Sequence, residues 1–260
     1  MKKRNPLIAL AQIRYFDNSE KHNVEKIKKY IRLAKKKNAD LVCFPESCIH
    51  ENAFLHFEGK LIKEIREECK KNSIWCIVTD DIQIGKKAYN TAILINREGE
   101  IYGNYKKIHL YGDSEGISSG KKSRVFKTDF AKIGIAICWD LAHPKLFKKL
   151  KKKGAEIVFC PTYWAYELRA HNARKYEEKH RKKERATLKS LIMARAFENI
   201  FFVALCNPAS GEKDLVSYSA ICSPHKILSE INDKEGLILS EINLSEIKKL
   251  HGLYDKPNLR

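Results

Sequence analysis

The chain has 260 residues and a mass of 30.1 kDa; 43% of the residues are hydrophobic and 32% charged, which suits one globular domain over 1–260 with a charged surface and excludes an intrinsically disordered chain. Lys and Arg outnumber Asp and Glu by 18, a balance that favours contact with nucleic acid or anionic surfaces, or else forms an ion-paired, lysine-rich exterior. The apolar runs are of strand length, and Met1 is followed by Lys2, Lys3 and Arg4, so a cytoplasmic protein with no membrane span is expected.

Lysine dominates over arginine, the lysines are spread along the chain, and no motif concentrates arginines with aromatics. A solvated surface is therefore preferred over a nucleic-acid interface. The eight cysteines show no C-x-x-C spacing and mostly lie in strand-like context. Reduced thiols are expected, with no metal site, disulfide framework or cofactor.

Leu7 to Ile13 reads as the first strand, followed by a polar turn at Asp17, Asn18 and Ser19. From His22 to Lys37, Val24, Ile27, Ile31 and Ala34 recur at helical spacing with lysines on the opposite face, which predicts an amphipathic helix lying on a sheet. Leu41 to Phe44 is a buried strand closed by Pro45, so Glu46 falls at its C-terminal end. A second helix with Leu61, Ile62, Ile65 and Cys69 on its apolar side and a strand from Ile74 to Val78 complete a βαβα order, the mark of a sheet covered by helices.

Asn90 to Ile95 and Ile101 to Lys107 flank a turn containing Gly99 and should pair as a hairpin. After a Gly- and Ser-rich loop from Tyr111 to Lys122, the apolar run Ile133 to Ile137 is a buried strand that delivers Cys138 to a strand-to-helix elbow, with Pro144 opening the next helix. That helix is very basic and is ended by Gly154. Ala155 to Cys160 is a further strand, which places Tyr163 and Trp164 at a strand end. Residues 171–185 form a charged, helix-prone extension before the apolar-faced segment Leu188 to Phe197. Strands are expected over Ile200 to Leu205, Val216 to Cys222 and Leu237 to Leu244, and the two βα-rich halves suggest two similar sheets packed together.

Three reactive groups thus fall at the ends of extended segments: Glu46, Lys107 and Cys138. A thiol that attacks an amide carbon needs a base, for which Glu46 is the candidate. Attack builds an oxyanion, which Lys107 and the backbone N–H of Trp139 can stabilise. Lys107 is also expected to favour the thiolate by opposite charge.

The chain resembles the nitrilase, or carbon-nitrogen hydrolase, superfamily. The resemblance is carried by Ala11-Gln12, the run Ala39 to Glu46, Asn90-Thr91-Ala92, the run Tyr105 to Leu110, the run Gly134 to Asp140 and the run Arg195 to Asn199, with Ser219 and Pro224 fitting the closing strand. It spans residues from about 7 to about 247, in the family's order. It implies a four-layer α-β-β-α sandwich, a Glu46–Lys107–Cys138 triad acting without cofactor or metal, and association into homodimers or larger homo-oligomers. A second glutamate of such proteins maps to Glu115, and Trp164 lies where the substrate pocket would be.

Asp140 after Trp139 resembles amidase-type members more than nitrile-hydrolysing ones, so a small linear amide, ω-amide or N-carbamoyl substrate is expected. Ala142 and Lys145 stand where many relatives carry Arg and Glu, which removes a possible ion pair near the pocket. A second function class remains open: a protein of this fold whose basic surface binds nucleic acid or an acidic partner.

Overall fold

The computed structural model describes residues 4–16, 21–111, 116–165, 178–209 and 215–255. Among these, β1 (Leu7–Gln12), β2 (Leu41–Cys43), β3 (Trp75–Ile84), β4 (Lys87–Ile95), β5 (Ile101–Lys106) and β12 (Gly236–Glu241) form one sheet in the order β12-β1-β2-β3-β4-β5. β6 (Val125–Lys127), β7 (Lys132–Ile135), β8 (Ile157–Pro161), β9 (Phe202–Cys206), β10 (Tyr218–Cys222) and β11 (Ile227–Asn232) form the other, in the order β11-β10-β9-β8-β7-β6. Each sheet has three adjacent parallel strands, β1-β2-β3 and β7-β8-β9, extended by antiparallel neighbours.

The two-residue alternation of side chains sorts the first sheet into two faces. Ala9, Ala11, Val42, Phe44, Cys76 and Val78 pack under α1 (Val24–Lys36) and α2 (Lys60–Asn72). Ile8, Leu10, Leu41, Cys43 and Ile77 face the opposite way, into the cluster that includes the strands of the second sheet. On that sheet's far side lie α3 (Pro144–Lys152) and α4 (Glu178–Asn199). The result is the expected four-layer α-β-β-α sandwich.

The helices follow the sequence period. In α1 the buried residues are Val24, Ile27, Tyr30, Ile31 and Ala34, while Arg32 crosses to Glu68 of α2 at 3.0 Å. The left-handed residue after the first helix is Asn38 (φ 61°), and Gly99 (φ 76°) and Gly154 (φ 78°) take the positive φ their turns require.

Four expectations change. The strand expected over Ile74 to Val78 runs on to Ile84 and forms a hairpin with β4 through Gly85 (φ 62°). β6 and β11 were not anticipated, because each is short and only partly buried. The strand expected over Leu237 to Leu244 stops at Glu241, and α5 (Leu244–Tyr254) follows, capped by the Asn243 side chain accepting the Ser245 N–H at 3.1 Å. The charged extension is helical from Glu178 onward and continuous with the apolar-faced segment as α4; its residues 171–177, like the turn at 17–19, lie outside the described residues.

Candidate active site

The three candidate residues converge where the two sheets meet. Glu46 follows β2, Lys107 follows β5 and Cys138 follows the extended run beyond β7, and the fold buries all three, with exposures of 4%, 5% and 8%. The Lys107 ammonium donates to Glu46 Oε1 at 2.7 Å. Glu46 Oε2 accepts the backbone N–H of Tyr163 at 3.0 Å. The Cys138 thiol is their neighbour, and both the Glu46 carboxyl group and the Tyr163 N–H bear on its ionisation. One carboxyl group is therefore bonded to the lysine and lies beside the thiol.

The Lys107 backbone is fixed on both sides: its N–H donates to Asn90 O at 2.9 Å, and its C=O accepts from Gly120 N–H at 2.7 Å. A Cβ on Gly120 would lie 2.2 Å from Lys106 O, so only glycine permits that approach. Lys106, the neighbouring lysine, instead lies over the Tyr89 ring at 3.8 Å. Glu46 is held by Tyr15, whose hydroxyl donates to the Glu46 carbonyl and whose ring stacks on Tyr163 at 5.4 Å and 24°.

Cys138 has φ 44°, a left-handed conformation that costs a non-glycine residue about 1–3 kcal/mol and persists only where its surroundings impose it. Asp140 is the imposing residue. Fully buried, its carboxyl group accepts from Ile137 N–H (3.0 Å), Tyr105 hydroxyl (2.7 Å), His109 N–H (2.9 Å) and His109 Nδ1 (2.7 Å). Asp140 N–H donates in turn to Ile137 O at 3.0 Å, closing the 3₁₀ turn Cys138–Ala142. The elbow and the lysine-bearing segment are thereby tied to one side chain.

The electrostatics separate the two functional groups. Burial pulls Lys107 toward neutrality, but the Glu46 charge, joined by that of Cys138 only where the thiol ionises at high pH, outweighs it and raises its pKa. The folded-state value lies above the unfolded one, so this stabilisation is complete below the unfolded pKa and fades only as pH rises through the folded one, in the strongly alkaline range. Burial, then the neighbouring Glu46 charge, pushes the Cys138 thiol well up, against the opposing pull of Lys107 and the Tyr163 N–H. Lys107 favours the thiolate by opposite charge, as expected, but burial and Glu46 outweigh it, and the balance favours the neutral thiol. Alkylation by iodoacetamide should accordingly rise with pH without reaching a plateau through about pH 9, whereas a thiolate stabilised at neutral pH would plateau near or below 7.

Trp139 and Trp164 are brought together, with ring centroids 5.6 Å apart, and Tyr111 meets Trp139 edge-on at 5.1 Å. Trp164 is 9% exposed, its N–H donates to Asn207 Oδ1 at 3.0 Å, and its indole reaches Glu184 at 3.4 Å. His143 stacks on His109 at 3.7 Å and 6°. Glu115 lies outside the described residues. Among the described residues no group of His, Cys, Asp and Glu could hold a metal ion, and the eight cysteines are free and buried.

Sequence reasoning missed Tyr15, the structural role of Asp140 and Asp81. The last sits on β3 opposite Asn90, and burial followed by the Glu46 charge raises its pKa. The pairing of Asp81 with the end of β4 only becomes visible once the β3–β4 hairpin is known.

Two helix-backed sheets that bring a carboxylate, an ammonium and a strand-end thiol together at their junction define the nitrilase-like class of fold. The carbon-nitrogen hydrolase family profile matches residues 7–251. A 2-oxoglutaramate amidase of Bacillus subtilis is 28% identical over 239 residues, covering 86% of this chain and 85% of its own. The fold matches the crystal structure of Saccharomyces cerevisiae Nit3, a member of branch 10 of the nitrilase superfamily, with a TM-score of 0.81 and 23% identity, covering 99% of this chain and 96% of that one. It also matches an amidase from Nesterenkonia sp. AN1, with a TM-score of 0.79, 20% identity and 98% of both chains covered. In that structure, a glutamate-to-glutamine variant, the acetamide moiety of fluoroacetamide is covalently attached to the active-site cysteine. The chain belongs to the carbon-nitrogen hydrolase family. Among the described residues no helix is long and apolar enough to cross a membrane.

Proposed function

We propose that the protein is an amidohydrolase that cleaves a small linear amide, ω-amide or N-carbamoyl compound to an acid and ammonia through a thioester on Cys138, working as a homo-oligomer in the cytoplasm. The observation that carries this reading is the single buried carboxyl group of Glu46, bonded to the Lys107 ammonium at 2.7 Å and near enough to the Cys138 thiol to govern its ionisation.

Glu46 takes the thiol proton as Sγ bonds to the amide carbon. The resulting oxyanion is held by the Lys107 ammonium and the Trp139 N–H. As the C–N bond breaks, protonated Glu46 returns its proton to the leaving nitrogen, so ammonia departs and a thioester remains. Glu46 then removes a proton from water, the water oxygen attacks the thioester carbon, and the C–S bond breaks to give the acid and the restored thiol. The chemistry starts from the neutral thiol that burial favours, so Glu46 moves a proton in both halves of the cycle: the thiol's to the leaving nitrogen, then the water's to the departing sulphur.

The relative that acts on 2-oxoglutaramate supports the ω-amide arm, and the covalent cysteine adduct of the Nesterenkonia amidase supports the acyl-enzyme. Trp139 and Trp164 then form one wall of the acyl pocket, with Glu115 a further substrate-positioning residue. Ala142 supplies no cation beside it. The deciding experiment is ammonia release from a panel of short aliphatic amides, ω-amides, N-carbamoyl amines and nitriles, combined with mass spectrometry of the quenched enzyme. Turnover of an amide class together with an acyl mass on the Cys138 peptide is the expected result. Turnover confined to nitriles, or no turnover of any member, would overturn the proposal.

A further inference from the structure

We propose that the recess beside edge strand β6 is a binding site for the phosphate backbone of double-stranded nucleic acid, distinct from the amide-cleaving site. The recess has a volume of about 590 Å³, and its charged lining consists of Arg124, Lys127, Lys132 and Lys153, with no carboxylate. Lys127 and Lys132 are direct partners across the β6–β7 pair, a placement of like charges that costs stability unless an anion relieves it. Lys153, just past α3, donates its ammonium to Ser123 O at 2.6 Å, which draws a third cation onto the same strand. A Cβ on Gly154 would come within 3.7 Å of the Lys132 ammonium, so the end of α3 and the start of β7 are in contact there.

The nearby acids already have donors. Asp129, in the turn between Lys127 and Lys132, accepts from the Trp75 indole at 2.6 Å and Arg97 at 3.0 Å. Glu156 accepts the Lys132 backbone N–H at 2.7 Å, where its charge offsets only part of the cluster's. Although lysines occur throughout the sequence, residues 121–153 hold eleven Lys and Arg against Asp129 and Asp140, which is half of the chain's net +18; Asp140 is fully buried. A second recess of the same volume, about 590 Å³, is lined by four lysines and four glutamates of α1, α2 and the segment before α2. That balanced surface is what solvation alone produces. The β6 recess departs from it.

Cations and the outer edge of a strand suffice to position phosphates. A protein partner would need an apolar or aromatic anchor at the centre of the contact, and the one ring at the recess, Phe126, is 9% exposed. The exposed ring beside it, Tyr102, is tied by its hydroxyl to Lys127 O at 2.8 Å, and one tethered ring gives no run of platforms for successive unstacked bases, so a duplex read by its backbone, without sequence preference, is the fitting ligand. Lys132 opens β7 and Cys138 lies six residues on, roughly 20 Å along an extended chain. Occupancy would therefore leave the thiol free.

The test is fluorescence anisotropy with a labelled mixed-sequence DNA duplex of about 20 base pairs, titrated with the full chain at salt from about 50 to 200 mM. Four neutralised phosphates predict a slope of log K against log salt near −3.6, roughly −0.9 for each. Lys127→Gln with Lys132→Gln should bring it to about −1.8 and lower affinity at least ~10-fold at low salt, with ammonia release unchanged and thermal melting slightly raised, because the like-charge pair is gone. Lys60→Gln with Lys63→Gln, in the balanced recess, should leave the slope as it is. Cys138→Ala should bind like the wild type, so this assignment stands or falls separately from the amidase reading.

The proposal is overturned by a wild-type chain that fails to bind at the lowest salt, in which case the lysines guard an exposed strand edge against pairing. It is overturned equally by a slope that falls as much in the control as in the β6 variant. Displacement of the duplex by polyglutamate at matched charge as readily as by unlabelled duplex would assign the recess to an acidic protein instead.

Discussion

Cys138→Ala is expected to reduce ammonia release by about 10⁴-fold or more, since removing a nucleophile takes away the whole covalent route and leaves only what substrate binding and charge stabilisation supply. The same substitution should cost the fold no more than about 1–2 kcal/mol, the scale for deleting a small buried group. The thiol neighbours Glu46 and Tyr163, but both groups have other partners: Glu46 holds Lys107 at 2.7 Å, and the Tyr163 N–H holds Glu46 at 3.0 Å. Thermal melting and circular dichroism should therefore match the wild type closely while turnover is lost. Residual activity above about one thousandth of wild type would mean that another group attacks the substrate, and the thioester route would have to be abandoned.

Lys107→Met should fail in both respects at once. Glu46 is 4% exposed, and among the described residues Lys107 is its ion-pair partner. Stripping the ammonium strands a buried carboxylate, which costs about 3–5 kcal/mol. Turnover should fall by at least 10²- to 10³-fold from loss of the oxyanion's cation. The two effects can be separated by adding Glu46→Gln. The double variant removes both charges and should recover most of the lost stability while remaining inactive. A double variant no more stable than Lys107→Met would show that the pair is not what holds this part of the fold, and full turnover in the single variant would remove Lys107 from the mechanism.

Much of the site was legible because each reactive residue is punctuated in the sequence. Pro45 ends β2 and leaves Glu46 at a strand terminus, and the run Ile133 to Ile137 stops at Cys138. Alternating and continuous apolar runs likewise gave the parallel strands and both amphipathic helices of the first half. What escaped depends on contacts between residues far apart in the chain. Tyr15 reaches the Glu46 carbonyl and the Tyr163 ring, and nothing local to it marks that role. Asp140 was read as part of a motif, yet its role comes from accepting donors supplied by β5, the segment after it and the elbow itself.

The pull of Lys107 on Cys138 was legible, but its net ionisation was not, because the sequence does not display the burial that, together with Glu46, outweighs that pull. Among the elements, the last strand was carried past Glu241 to Leu244 and α5 was not anticipated, although Asn243 and Ser245 form a cap. The apolar residues before that cap continue the pattern too smoothly for periodicity to find the boundary.

Glu46 belongs to one sheet and Cys138 to the other, and their contact crosses the seam between them. Neither half of the molecule can assemble the reaction centre by itself, however well formed its own strands are. In the proposed reaction, turnover is thus a gauge of registration between two slabs of protein, and a slip between them would abolish it while leaving the spectroscopic signature almost intact. Stiffness at the seam, supplied there by Gln12 and Ser219 bonding across it at 2.7 Å, matters to this protein as much as the identity of the reacting groups.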